Sequence, residues 1–134
     1  VTPVLPPGWK RPRGYSNAVV AEGRQIYLGG MIGWNPVTEA FETDDFAGQL
    51  RQTLLNIVAV LRAAGAEPAH LVRTTWYVTD KRAYLAQLKE VGAAWRQVIG
   101  RHYPAMAVVE VRALVEDRAK VEIEATAVVP AGRR

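Results

Sequence analysis

Glu122 and Glu124 stand two residues apart in the run KVEIEATAVV at positions 120–129. In a strand, that spacing puts both carboxylates on one face with Lys120 and Thr126, while Val121, Ile123, Ala125 and Ala127 turn to the other. A carboxylate in a half-dry pocket can hold and polarise a water, acting as general acid or base with a pKa tuned by burial. The same pair can instead be structural, neutralised by Arg73, Arg112 or Lys120 across strands or subunits, because a buried charge without a partner is costly. Tyr15 offers a phenolic donor, and backbone groups near Gly30 and Val108 can add polar contacts without side chains.

Other chemistries find less support. The chain has no cysteine, which excludes thiol nucleophiles, thiolate metal sites and disulfides. His70 and His102 are isolated and read as surface or helix-end residues rather than metal ligands. Ser16 is the only serine and lacks a nucleophile-elbow pattern. Gly29-Gly30 has neither dinucleotide-binding nor Walker spacing. Within a β-prone run the pair predicts a bulge, a close approach by another backbone or a ligand, or a simple bend.

The elements that must position these groups follow from periodicity. Residues 1–14, rich in proline, glycine and basic side chains, predict an extended arm. Tyr15–Ala21 and Gln25–Ile32 flank Glu22-Gly23-Arg24, a hairpin signal. Thr43 or Asp44 caps a first helix carrying Phe46, Leu50, Leu54, Ile57, Val58, Leu61 and Ala64 on one stripe, and Gly65 ends it. Val72–Thr79 is a strongly β-prone strand. Asp80 caps a second helix with Tyr84, Leu88, Val91, Trp95 and Val98 in line, ended by Gly100. The runs 103–111 and 120–129 close the chain as strands, with residues 130–134 expected as a C-terminal tail. The order is ββαβαββ, an α+β fold with a mixed sheet and both helices on one face. The other face, carrying Glu122, Glu124 and Thr74 or Thr75, is left uncovered, and a homo-oligomer closed by rotation resolves that.

The chain's 134 residues suffice for one domain with its own core, and no apolar run reaches membrane-span length. Lacking cysteines and a signal-peptide core, the protein is expected in the cytoplasm. The formal net charge is +4. Five basic residues, Lys10, Arg11, Arg13, Arg133 and Arg134, lie near the ends, however, and without them twelve positive charges face thirteen negative. A near-neutral body argues against nucleic acid as the main partner.

Six ordered runs carry a resemblance: YSNAVV at 15–20, IYLGGMIG at 26–33, DFAGQLRQ at 45–52, VTD at 78–80, Pro104-Ala105, and VEIEA at 121–125. Together they resemble the Rid (reactive intermediate deaminase, RidA/YjgF) family from Tyr15 to Val128. The resemblance implies a chorismate-mutase-like subunit, a homotrimer, and small-molecule clefts between neighbouring subunits. It also implies hydrolysis of 2-imino or 2-enamino acids to 2-keto acids and ammonia, without metal or cofactor. By position the cleft tyrosine is Tyr15, the glycine Gly30, the backbone group that of Val108, and the water-positioning glutamate Glu122. The family's Pro-Ala-Arg becomes Pro104-Ala105-Met106, so a thioether stands where a guanidinium grips the substrate carboxylate. This departure predicts altered specificity toward larger, less charged or aromatic ligands, with Trp34 or Trp76 nearby, or a cation supplied from elsewhere, such as Arg51, Arg73 or Arg112. A non-catalytic trimer binding a metabolite or a protein partner is the alternative. An RNA-cleaving or translation-inhibiting role, also brought by the resemblance, is disfavoured by the charge distribution.

Overall fold

The apolar stripe beginning at Phe46 forms an 18-residue helix, α1 (Phe46–Ala63), in the computed structural model, which describes residues 1–131. Phe46, Leu50, Leu54, Ile57, Val58 and Leu61 are buried, so the helical spacing is realised as a single packing face. The cap is Asp45, one residue later than predicted; it accepts from the Gly48 N–H at 3.0 Å. Thr43 Oγ1 accepts from Asp45 N, and Asp44 is engaged by Arg118. Gly65, at φ 81°, takes the left-handed position that ends the helix.

Beneath α1 lies a four-stranded sheet in the order β3-β6-β4-β5, with β3 Arg24–Ile32, β4 Leu71–Val78, β5 Ala105–Glu110 and β6 Val121–Val129. β3–β6 and β6–β4 are antiparallel and β4–β5 is parallel, so the sheet is mixed. Register puts Thr74 beside Ala125 and Met106, and Trp76 beside Ile123 and Val108. Thr74, Trp76, Ile123 and Ala125 are all buried, and this face meets the helices. Tyr77 aligns with Glu122, Thr75 with Glu124 and Tyr27 with Thr126 on the opposite face. That face is open: Tyr27 is 73% exposed. The uncovered side predicted from Glu122 and Glu124 is therefore present, with Thr75 rather than Thr74 on it.

Three local expectations are corrected. Residues 15–21 and 25–32 do not form a hairpin. A short strand β1 (Thr2–Val4) pairs with β2 (Ala18–Val20), and β3 pairs with β6 instead. Gly23, at φ 146°, sits so close to the end of β6 that an added Cβ would lie 2.0 Å from the Val129 carbonyl oxygen, so the turn delivers β3 to that strand. The N-terminal arm is thus tied down by three residue pairs. The second helix is two, α2 (Lys81–Ala86) and α3 (Leu88–Val98). Asp80 caps α2 as predicted, accepting from Arg82 N at 2.9 Å. Gln87 breaks the run because its side chain is committed to α1: its Oε1 accepts from Ala47 N at 3.0 Å, and its Nε2 donates to Asp45 at 3.1 Å. Of the expected C-terminal tail, residues 132–134 lie outside the described residues.

Candidate functional site

Glu122 and Gly30 meet directly. The β3–β6 register slips between Leu28 and Met31, a bulge at the glycine pair. It brings Gly30 under the Glu122 side chain, where an added Cβ would stand 1.9 Å from Oε2 and 2.8 Å from Cδ. The bulge is thus realised; the close approach is made by a side chain instead of the expected backbone or ligand, and only glycine leaves the carboxylate its place. Glu122 is half-buried. Among the described residues no cation lies within ion-pair distance of it or of Glu124. Across strands of one chain, the pairing with Arg73, Arg112 or Lys120 is absent among the described residues. Glu124 is exposed and accepts a short hydrogen bond from the Tyr77 hydroxyl. That bond first, then desolvation and the charges of Glu124 and Glu122, raise the Tyr77 pKa above its ordinary value. The two carboxylates differ accordingly: Glu124 is engaged by a phenol, and Glu122 is left to the cleft.

That cleft, of about 350 Å³, lies at the β3 edge of the sheet and is lined by Gly30, Trp34, Asn56, Val115, Glu116 and Glu122. Two buried amides shape it. Asn56 Nδ2 donates to the Ile32 and Trp34 carbonyls at 3.0 and 2.9 Å, fixing the chain as it leaves β3. Gln49, fully buried, donates to the carbonyls of Thr43 and Arg118 and accepts from Lys120 N at 2.8 Å. It thereby sets the entry of β6 two residues before Glu122. Sequence reasoning missed both amides; polar residues inside an otherwise apolar helical stripe were the available signal.

Tyr15, Met106 and Val108 gather elsewhere, around a cavity of about 530 Å³ at the β5 edge. Ser16 positions Tyr15 by donating from its N–H to the Pro104 carbonyl at 3.0 Å and from Oγ to the Tyr103 carbonyl at 2.5 Å. Met106 and Val108 follow from register, on the helix-facing side beside Thr74 and Trp76. The wall is aromatic: Trp95 stacks on Tyr103 at 6.5 Å between centroids, and Trp76 lies 6.1 Å from Trp95 and 6.2 Å from Tyr84. Both indole N–H groups are engaged, Trp76 with Thr74 Oγ1 and Trp95 with the His102 carbonyl. Burial raises the Tyr84 pKa above its ordinary value, keeping the phenol neutral.

Within one chain, then, the five candidate residues fall into two groups: Gly30 with Glu122, and Tyr15 with Met106 and Val108. Met106 and Glu122 project from opposite faces of the sheet, so one subunit does not unite them. Trp76 is beside Met106 as expected, whereas Trp34 is beside Glu122. The cations proposed from the sequence lie outside the larger cavity: Arg51 bonds to Gln97, and Arg73 belongs to the open face. Two unforeseen arginines, Arg13 and Arg96, line it instead. His70 caps its own 3-10 turn, accepting from Glu67 N, and His102 pairs with the Leu71 carbonyl at 2.6 Å.

Comparison with known proteins bears on this arrangement. The family model described as Endoribonuclease L-PSP matches residues 10–129. A human protein named 2-iminobutanoate/2-iminopropanoate deaminase is 32% identical over 114 residues, 85% of this chain and 79% of that protein. The protein of the same name from Escherichia coli K12 is 38% identical over 109 residues, 79% and 80% of the two chains. Among solved structures, the Rid-family protein YyfB from Yersinia pestis superposes with a TM-score of 0.82 at 33% identity, covering 94% of this chain and 97% of its own. Escherichia coli TdcF with bound serine gives 0.68 at 27% identity, covering 96% and 92%. No helix among the described residues is long and apolar enough to cross a membrane. Sequence and fold agree over nearly the whole chain: it belongs to the Rid family and has that family's chorismate-mutase-like α+β fold.

Proposed function

We propose that the chain is an imine or enamine hydrolase of the Rid type with an altered substrate range, acting in clefts between the subunits of a cyclic homotrimer. The observation that carries this reading is the Glu122 carboxylate, free of any cation among the described residues and resting on a glycine that alone leaves it room. Glu122 orients a water and accepts a proton as the oxygen attacks the C=N carbon. The resulting carbinolamine collapses with the nitrogen protonated, releasing ammonia and leaving the carbonyl product; one imine and one water give one ketone and one ammonia. The names of the human and Escherichia coli relatives support this chemistry.

The division of the candidate residues supports the assembly. Glu122 and Gly30 face the β3 edge and Tyr15, Met106 and Val108 the β5 edge, opposite ends of one sheet. A head-to-tail contact that closes by rotation joins opposite edges of successive copies, bringing one group of each kind together. The open face gives such a contact an apolar component, with Val109 42% exposed beside Tyr77. Tyr15 and backbone groups near Gly30 and Val108 place the ligand, and Met106 forms an apolar wall.

The test is ammonia release over a panel of small and aromatic imines. Parent protein is expected to favour the larger members. Met106→Arg supplies a carboxylate contact worth on the order of 1.5–3 kcal/mol, which should raise kcat/KM for small 2-imino acids at least tenfold. No ammonia from any member, with either protein folded by circular dichroism, would sink the hydrolase reading.

A further inference from the structure

The structure assigns a second role to the larger cavity: we propose that Arg96 and Arg13 together grip the carboxylate of a ligand whose aromatic body packs on Trp76, Trp95 and Met106. This rests on the hydrolase reading for the identity of the ligand as a 2-imino acid, but not for the binding itself.

The cavity's dimensions and lining suit such a molecule. At about 530 Å³ it falls in the range of small-molecule sites, which are mostly apolar with a few placed polar groups. Its lining includes five large aromatics and two arginines but no acidic residue. Neither arginine has an ion-pair or hydrogen-bond partner among the described residues, so both guanidinium groups are uncommitted. With both indole N–H groups engaged, charge recognition falls to these two side chains.

Arg96 is held for the task. It lies one helical turn after Gly92 on α3, and a Cβ on Gly92 would stand 3.1 Å from its Nη1. The glycine therefore lets the guanidinium of this exposed arginine fold back along the helix to the cavity rim. Arg13 reaches the same cavity from the N-terminal arm, followed by Gly14 at φ 77° and by Tyr15. A guanidinium stays charged at any working pH and matches a carboxylate bidentately, or splits the two oxygens between two arginines. Met106 then removes one cation from the wall without making the site neutral. The anion is read at the rim, and the space beneath favours an aromatic side chain over a methyl or ethyl group.

The experiment is calorimetric titration of the full chain with 2-oxo-4-phenylbutanoate and with its uncharged counterpart, 4-phenyl-2-butanone. The parent should bind the anion at least tenfold more tightly than the ketone. In the Arg13→Gln/Arg96→Gln double variant, that margin should fall to threefold or less, with the ketone's Kd within twofold of the parent's. A margin above threefold in the double variant overturns the proposal, as does a parent that holds the anion no tighter than the ketone. Ammonia release separates this from the hydrolase reading. Charge-dependent binding without turnover keeps the arginine site and removes the enzyme; turnover with charge-independent binding does the reverse.

Discussion

Replacing Gly30 by alanine should separate activity from stability. The new Cβ would stand 1.9 Å from Glu122 Oε2, and ordinary contact begins at 3.4 Å, so the carboxylate must retreat by about 1.5 Å. The obstructing atom is the end of a flexible side chain and Gly30 has no positive φ, so the backbone need not move. Alanine in a strand is favoured over glycine by roughly 0.5–1 kcal/mol. Melting temperature should therefore hold or rise by a few degrees. A catalytic group displaced by about 1 Å costs on the order of 100-fold, and ammonia release should fall by that much. Gly33→Ala is the matched control. There the Cβ would meet the backbone carbonyl of Gln49 at 2.3 Å, in the first turn of α1, where nothing yields cheaply. Overpacking of that kind costs about 1–3 kcal/mol and should lower the melting temperature by several degrees. Turnover of Gly30→Ala within threefold of the parent would refute the reasoning, as would a thermal loss equal to that of Gly33→Ala.

Other perturbations follow from the same geometry. Gln49→Leu strands two carbonyls and the Lys120 N–H that the buried amide now satisfies, and should destabilise the chain by about 3 kcal/mol in urea unfolding. Tyr77→Phe tests the phenol held by Glu124. A raised phenol pKa adds stability that is whole below the ordinary value of 10.0 and is lost as pH rises through the folded-state value. The parent's advantage over the variant should therefore shrink on titration above pH 10, and a pH-independent difference would contradict the assignment.

How far the sequence could be read depended on whether the deciding contacts were local. The stripe on α1 and the alternation on β6 were legible because one face of each is buried and the spacing records it. The bulge at Gly30 was among the readings of two adjacent glycines, but the close approach read there was by a backbone or a ligand, not by the Glu122 side chain. The hairpin failed because β3 pairs with a strand about a hundred residues away, which no local pattern encodes. The break at Gln87 depends on hydrogen bonds to Asp45 and Ala47. Arg13 and Arg96 escaped notice for the same reason: they converge from the arm and from α3, and only the fold places them on one cavity. That Met106 and Glu122 occupy opposite faces follows from the parallel β4–β5 register, fixed by packing and not by either residue.

The central claim, that each working site is shared between two copies, is tested most directly by complementation. Glu122→Gln removes one half of the site and Tyr15→Ala, at a 41% exposed position, the other. Each variant alone should release little ammonia. Co-expressed and randomly assembled in equal amounts, they should regenerate intact composite sites at about one in four interfaces of a rotationally closed ring, restoring about a quarter of parental activity. Activity no greater than the average of the two variants would contradict the shared site.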